Sequence, residues 1–232
     1  MIHRAAMRAG VLACLAFPCV SVSVSAATVQ AGDLILSEFM ANPTGLSDAQ
    51  GEWLELFNTT LSDLDLRGLS LSDDGSNSHT IASPTPVIIP GGGYALLGRS
   101  GDIDGGGRIA VDYIYSGFIL NNSVDQIVLS QGTQEVLRLN YTASMVTPGR
   151  STELRALTSS GPSYAFTPVA LSYDGGSNMG TPGTTNSQAF SAAPVPLPPA
   201  LSLFLAALAA MFGSRFMVRY PPLSPVEPAP AG

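Results

Sequence analysis

The 232 residues include no lysine, only two cysteines and only two histidines. Each shortage removes a class of chemistry. A phosphate-binding P-loop needs a lysine behind its glycines, and neither glycine triplet, at 91–93 or at 105–107, has one. Both cysteines, Cys14 and Cys19, fall within the opening 27 residues, which read as a secretory signal peptide. His3, Arg4 and Arg8 precede an apolar run (9–20), and the small residues of "SVSAA" set the expected cut after Ala26 or Ala27. The run falls short of the roughly 18 apolar residues a membrane span requires, and Pro18 interrupts it. After that cut no thiol remains, hence no disulfide and no thiolate metal site. The remaining histidine, His79, excludes a Cys/His zinc site and is the only base a Ser–His–Asp triad could use. Within "SNSHTIAS" its expected place is a surface loop or the start of a strand.

Basic charge is scarce as well. Between residues 28 and 199, six arginines face sixteen acidic residues, a net charge of −10. Affinity for nucleic acid rests on neutralising phosphates, so no nucleic-acid partner is expected. The same charge keeps an exported domain soluble. The stretch of about 170 residues suffices for one core and one domain.

Helical periodicity is nearly absent. Short apolar runs alternate with turn residues instead: "DLILSEFM" (33–40), "EWLELFN" (52–58), "LSLS" (69–72), "PVIIP" (86–90), "GYALLG" (93–98), "RIAVDYIY" (108–115), "DQIVLSQ" (125–131) and "QEVLRLNY" (134–141). This spacing predicts an all-β sandwich or barrel. The last two runs predict a hairpin with Gly132 and Thr133 at its tip. Beyond residue 142 the pattern predicts loop, with one strand around 165–173. The expected core includes Leu36, Leu54, Leu56, Leu96, Ile127, Val128, Leu137 and Leu139, with Trp53 buried as well. In "EWLELFN" alternation puts Leu54 and Leu56 on one face, and Trp53, Glu55 and Phe57 on the other. Large apolar groups on both faces predict a central strand, and a buried Glu55 there calls for an arginine partner.

The blocks "LILSEFMANPTG", "GEWLELFNTT", "LDLRGLSLSDD", "IIPGGGYALLG", "LNNSVDQIVLSQGTQEVLRLNY" and "GTPGTTN", in this order, resemble a lamin tail domain. That resemblance implies an immunoglobulin-like β-sandwich, placed at residues 31–187, and no catalytic role. The residues agree. Glu52 and Glu55 alternate to opposite faces and cannot serve one substrate as an acid–base pair. Asp102 and Asp104 in "GDIDGGG", with Asp112 beyond, raise the question of calcium, but a third close carboxylate and a bidentate glutamate are lacking. Asp-Gly turns account for these letters, and for "SDDGSNS" (72–78) and its echo "DGGSN". No metal or cofactor is expected. Asn58 and Asn140 head glycosylation-type triplets in a chain rich in Asn, Ser and Thr.

A second apolar segment follows a Pro-rich linker (188–199). From Ala200 to Val218 the only charge is Arg215. As a helix these residues would be about 28 Å long, close to the hydrocarbon thickness of a bilayer. Arg215 and Arg219 mark the expected cytoplasmic boundary. "VPLP" (Val195, Pro196, Leu197, Pro198), an apolar helix (200–219) and arginine together resemble the VPLPA form of PEP-CTERM sorting signals; a Pro-rich tail (220–232) follows. That resemblance implies two processing partners, signal peptidase and an exosortase-type enzyme. It also implies a stay in the inner membrane before delivery to the cell surface or medium. The combined expectation is a non-catalytic exported binding or structural module whose ligand the sequence does not name. The alternative is an auxiliary module that positions a separately encoded secreted enzyme such as a nuclease.

Overall fold

The computed structural model describes residues 28–158 and 161–188. Twelve strands form the described part. β1 (Leu34–Met40), β2 (Trp53–Asn58), β7 (Tyr94–Gly98), β8 (Tyr113–Ile114), β11 (Thr152–Thr158) and β12 (Gly161–Phe166) make a six-stranded sheet, ordered β12-β11-β1-β2-β7-β8. β4 (Leu69–Ser72), β5 (Ser78–Thr80), β9 (Asp125–Gln131) and β10 (Gln134–Tyr141) make the facing sheet, ordered β10-β9-β4-β5. β3 (Leu64–Asp65) and β6 (Ile88–Ile89) form a small ribbon. All strand pairs are antiparallel except β7 with β8. This is an immunoglobulin-like β-sandwich.

Alternation builds the core between the sheets. Leu34, Leu36 and Phe39 from β1, Leu54 and Leu56 from β2, and Ala95 and Leu97 from β7 meet Leu69, Leu71, Ile127, Leu129, Val136 and Leu139. Each fully buried aliphatic side chain here contributes about 1.5–3 kcal/mol. The β9–β10 hairpin turns where expected, with Gln131 opposite Gln134 and Gly132 at a φ of 59°, a backbone state that costs glycine little. Leu137 is only half-buried against this core. Leu96 is buried but lies in a second cluster on the outer face of the large sheet, with Met40, Trp53 and Ile103. Trp53 is fully buried, and β2 is central, between β1 and β7.

One irregularity sets up everything on that outer face. Leu36 and Glu38 are two apart and would share a face in a regular strand. A bulge between Leu36 and Glu38 breaks the register, so that Leu36 stands opposite Leu56 while Glu38 stands opposite Glu55. The extra residue, Ser37, swaps the phase. Phe39 therefore turns into the core, and Glu38 and Met40 turn outward.

Three expectations are corrected. The stretch after 142 holds a full hairpin, β11–β12, which pairs with β1, rather than loop with one strand at 165–173. Its pattern is hidden by a bulge between Leu154 and Ala156 and by Pro162, which an edge strand tolerates. "RIAVDYIY" yields only the two-residue β8; ahead of it Asp112 bonds Leu96 through both backbone and side chain (Leu96 N to Asp112 Oδ2, 2.8 Å) instead of extending the ladder. Among the described residues no arginine stands beside Glu55, whose partners are a hydroxyl and a backbone amide.

Candidate functional site

Three glutamates from adjacent strands line up across the outer face of the large sheet. Glu38 on β1 stands opposite Glu55 on β2 and opposite Glu153 on β11. All three are fully buried, which carboxylates tolerate only when their oxygens are engaged. What covers them is the "GTPGTTN" segment, which crosses the row as a strap. The Thr181 amide and hydroxyl donate to Glu38 (3.0 and 2.6 Å), and the Gly183 amide donates to Glu55 Oε2 (2.6 Å). The Ser187 amide donates to Glu153 Oε2 (2.9 Å), and its hydroxyl bonds the other oxygen. Asn186 adds two bonds from its amide to the carbonyls of Ser37 and Leu154 (3.0 and 2.8 Å).

The remaining partners come from the sheet. Ser151 and Thr167 hydroxyls reach Glu38, and the Ser37 hydroxyl donates to Glu55 Oε1 at 2.6 Å. Arg155 pairs with Glu153 at 2.9 Å. No cation touches Glu38 or Glu55 among the described residues. The arginine expected beside Glu55 is replaced by a hydroxyl and a backbone amide, donors no residue pattern announces. Burial is the leading cause that raises both carboxyls above their ordinary range, Glu55 up to about 8.

The strap continues a loop that seals Trp53. Its indole N–H donates to the Tyr173 hydroxyl (3.1 Å), and the two rings meet edge-on with centroids 5.9 Å apart. Gly180 presses against the indole: a Cβ there would stand 3.1 Å from Trp53 Cζ2 and 3.0 Å from Ser151 Oγ. Gly180→Ala is therefore expected to cost about 1–3 kcal/mol, the usual penalty of overpacking, measured as a lower urea midpoint with unchanged slope.

The other candidate residues are consumed structurally. Glu52 faces away from Glu55, as alternation requires; its Oε2 accepts from Arg99 (3.1 Å) and the Leu120 amide (3.2 Å), and burial pushes its carboxyl up to about 7. Asp102 accepts from the Gly106 and Gly107 amides, while Asp104 pairs with Arg108 at 2.6 Å. "DDGSN" and "DGGSN" close the same kind of loop. Asp73 accepts from the Gly75 and Asn77 amides and the Asn77 side chain. Asp174 does likewise for Gly176, Asn178 and the Asn178 side chain. Asn178 also brackets the Thr44 backbone, at 2.6 and 2.8 Å. His79 sits on β5, its Nδ1 accepting from the Ser116 amide, so Nε2 carries the proton toward the Tyr113 hydroxyl at 2.8 Å. Asn58 is fully buried, its amide nitrogen donating to three carbonyls, which excludes glycosylation of the folded domain there. Among the described residues no three His, Cys, Asp or Glu side chains are arranged to hold a metal ion.

Val195, Pro196, Leu197, Pro198, Arg215 and Arg219 lie outside the described residues, as does the segment 1–27. Within those described, no helix is long and apolar enough to cross a membrane. The sequence model of the lamin tail domain family matches residues 27–143. The chain belongs to the lamin tail domain family. None of the curated proteins compared with it matches. Lamin tail domains are non-catalytic immunoglobulin-like modules, in keeping with a site whose carboxylates are spent on internal hydrogen bonds. In this lamin tail domain the matched stretch supplies Glu38 and Glu55, while β11, β12 and the strap that engage them come from beyond it.

Proposed function

We propose that this lamin tail domain is the exported part of a non-catalytic binding or structural module, delivered by an exosortase-type sorting signal. In this reading residues 1–27 direct export. Residues 200–219 then hold the chain in the inner membrane with the domain outside, and processing at Val195–Pro198 passes it to the surface or medium. One observation supports a module without chemistry of its own. The buried carboxyls on the sheet face, Glu38, Glu55 and Glu153, are all engaged by hydroxyls, amides and one arginine, and none is paired with another across an open cleft. The negative surface and the lack of lysine support a partner other than nucleic acid.

The sorting step is tested by fractionation and by mass spectrometry of both termini. Charges introduced at Leu205 and Leu208 are expected to abolish membrane retention, since each costs about 2.5–3.5 kcal/mol at mid-helix. Alanine at Pro196 and Pro198 is expected to leave insertion intact and to accumulate the uncut form. A charged variant that still sediments with membranes, or a proline variant cut normally, would overturn the reading.

A further inference from the structure

The Glu38–Glu55 pair is an unusual thing to bury. Two carboxyls face each other across β1 and β2 with no cation in contact, and the partners that hold the strap against them are hydroxyls and backbone amides. Both sites are also fully satisfied with a proton on the carboxyl. Ser37 Oγ lies 2.6 Å from Glu55 Oε1 and 3.1 Å from the Glu55 carbonyl. A protonated Oε1 can donate to Ser37, whose own hydrogen passes to that carbonyl, while Oε2 keeps the Gly183 amide. Ser151 offers Glu38 the same relay, since its hydroxyl also stands 3.0 Å from the Met179 carbonyl, and Oε2 keeps Thr181.

We propose that residues 181–187 form a pH-released cover, seated while the Glu38–Glu55 pair holds protons and freed when the pair ionises. The hydrogen bonds from Ser37, Gly183, Ser151 and Thr181 favour the ionised form, but burial outweighs them and the neighbouring charges act with it. From β11 the neighbouring charge is Glu153, with Arg155 committed to it; beside β7 stand Asp112 and the neutral phenol of Tyr94; from the loop before the strap comes the phenol of Tyr173. Arg150 is bound to the Thr167 carbonyl. Ionising both glutamates therefore places two like charges side by side in a dry site with a third next to them. Burial raises both carboxyls, that of Glu55 to about 8 against an ordinary 4.5. A group that holds its proton more tightly when folded contributes stability in full below its unfolded value and loses it as the pH climbs through its folded value. The cover is thus tightest near pH 5 and is released toward pH 8 and above.

The chain contains one tryptophan, and that residue lies under the loop that leads into the strap. The test is Trp53 emission of the full chain in a non-ionic detergent from pH 5.5 to 9.5, with far-UV circular dichroism recorded alongside. Expected is a red shift centred near pH 8 while the sheet signal persists. Glu55→Gln, whose amide can donate to Ser37 and accept from Gly183 as the protonated acid does, is expected to keep the acidic emission at pH 9; Glu38→Gln, which removes the like charge beside Glu55, is expected to move the midpoint downward. An emission constant over this range would overturn the proposal. So would a shift that Glu55→Gln leaves in place, or one that coincides with loss of the sheet signal. A glutamine variant without native sheet signal at pH 5.5 would contradict it equally, because the neutral side chain is the form the site prefers.

Discussion

A chain cut after residue 143, where the family match ends, is expected not to fold, whereas residues 28–188 fold cooperatively. The cut removes β11 and β12 and leaves β1 with an unpaired edge in the middle of what was a six-stranded sheet. It also removes the Thr181 and Gly183 donors that cover Glu38 and Glu55, and Tyr173 and Gly180 from over Trp53. Burial of each large apolar side chain that the cut uncovers, Trp53 among them, is worth about 1.5–3 kcal/mol, and a whole domain is stable by only about 5–15 kcal/mol. The losses exceed what remains. Urea titration followed by circular dichroism decides it: a sloping, uncooperative signal is expected for 28–143, and a native-like transition there would show that the C-terminal third is an appendage.

Trp53→Ala is expected to be strongly destabilising. The indole is fully buried among Met40, Leu96 and Ile103, with Tyr173 edge-on and Gly180 in contact. Truncating such a side chain costs about 3–5 kcal/mol, the spread reflecting how far the site can collapse. Collapse is limited here because the walls are a sheet on one side and a hydrogen-bonded loop on the other. Trp53→Phe retains most of the packing but loses the bond to the Tyr173 hydroxyl, and is expected to cost about 1 kcal/mol. Equal losses for the two variants, read from urea midpoints, would mean that the hydrogen bond rather than the packing dominates.

β1, β2, β4, β6, β7, the β9–β10 hairpin and the burial of Trp53 are legible in the sequence because alternation and turn residues record them directly. The carboxylate row is not. Reading Glu38 as an outward-facing residue requires knowing that Ser37 is a bulge, and a bulge leaves no mark in a run as uniform as "LILSEFM". Glu55 is recognisable as a buried acid, yet the inference that an arginine answers it fails, because the donors are a nearby hydroxyl and the amide of Gly183. Backbone amides are present at every non-proline position, so composition cannot say which one is aimed at a carboxylate. The "GTPGTTN" segment has no hydrophobic period for the same reason: its work is done by amides, hydroxyls and Asn186. The echo of "DDGSN" in "DGGSN" was a usable signal, since an Asp two residues before a turn glycine and four before an Asn can close the loop on itself.

That the strap is part of the lamin tail sandwich, rather than a linker laid against it, is tested most directly by amide hydrogen exchange at pH 5.5. The amides of Thr181, Gly183 and Ser187 donate to buried carboxyls, so they are expected to exchange as slowly as those of β2, through openings that approach global unfolding. Exchange of these three amides at the rate of an unstructured peptide, with β1 and β2 still protected, would contradict the account.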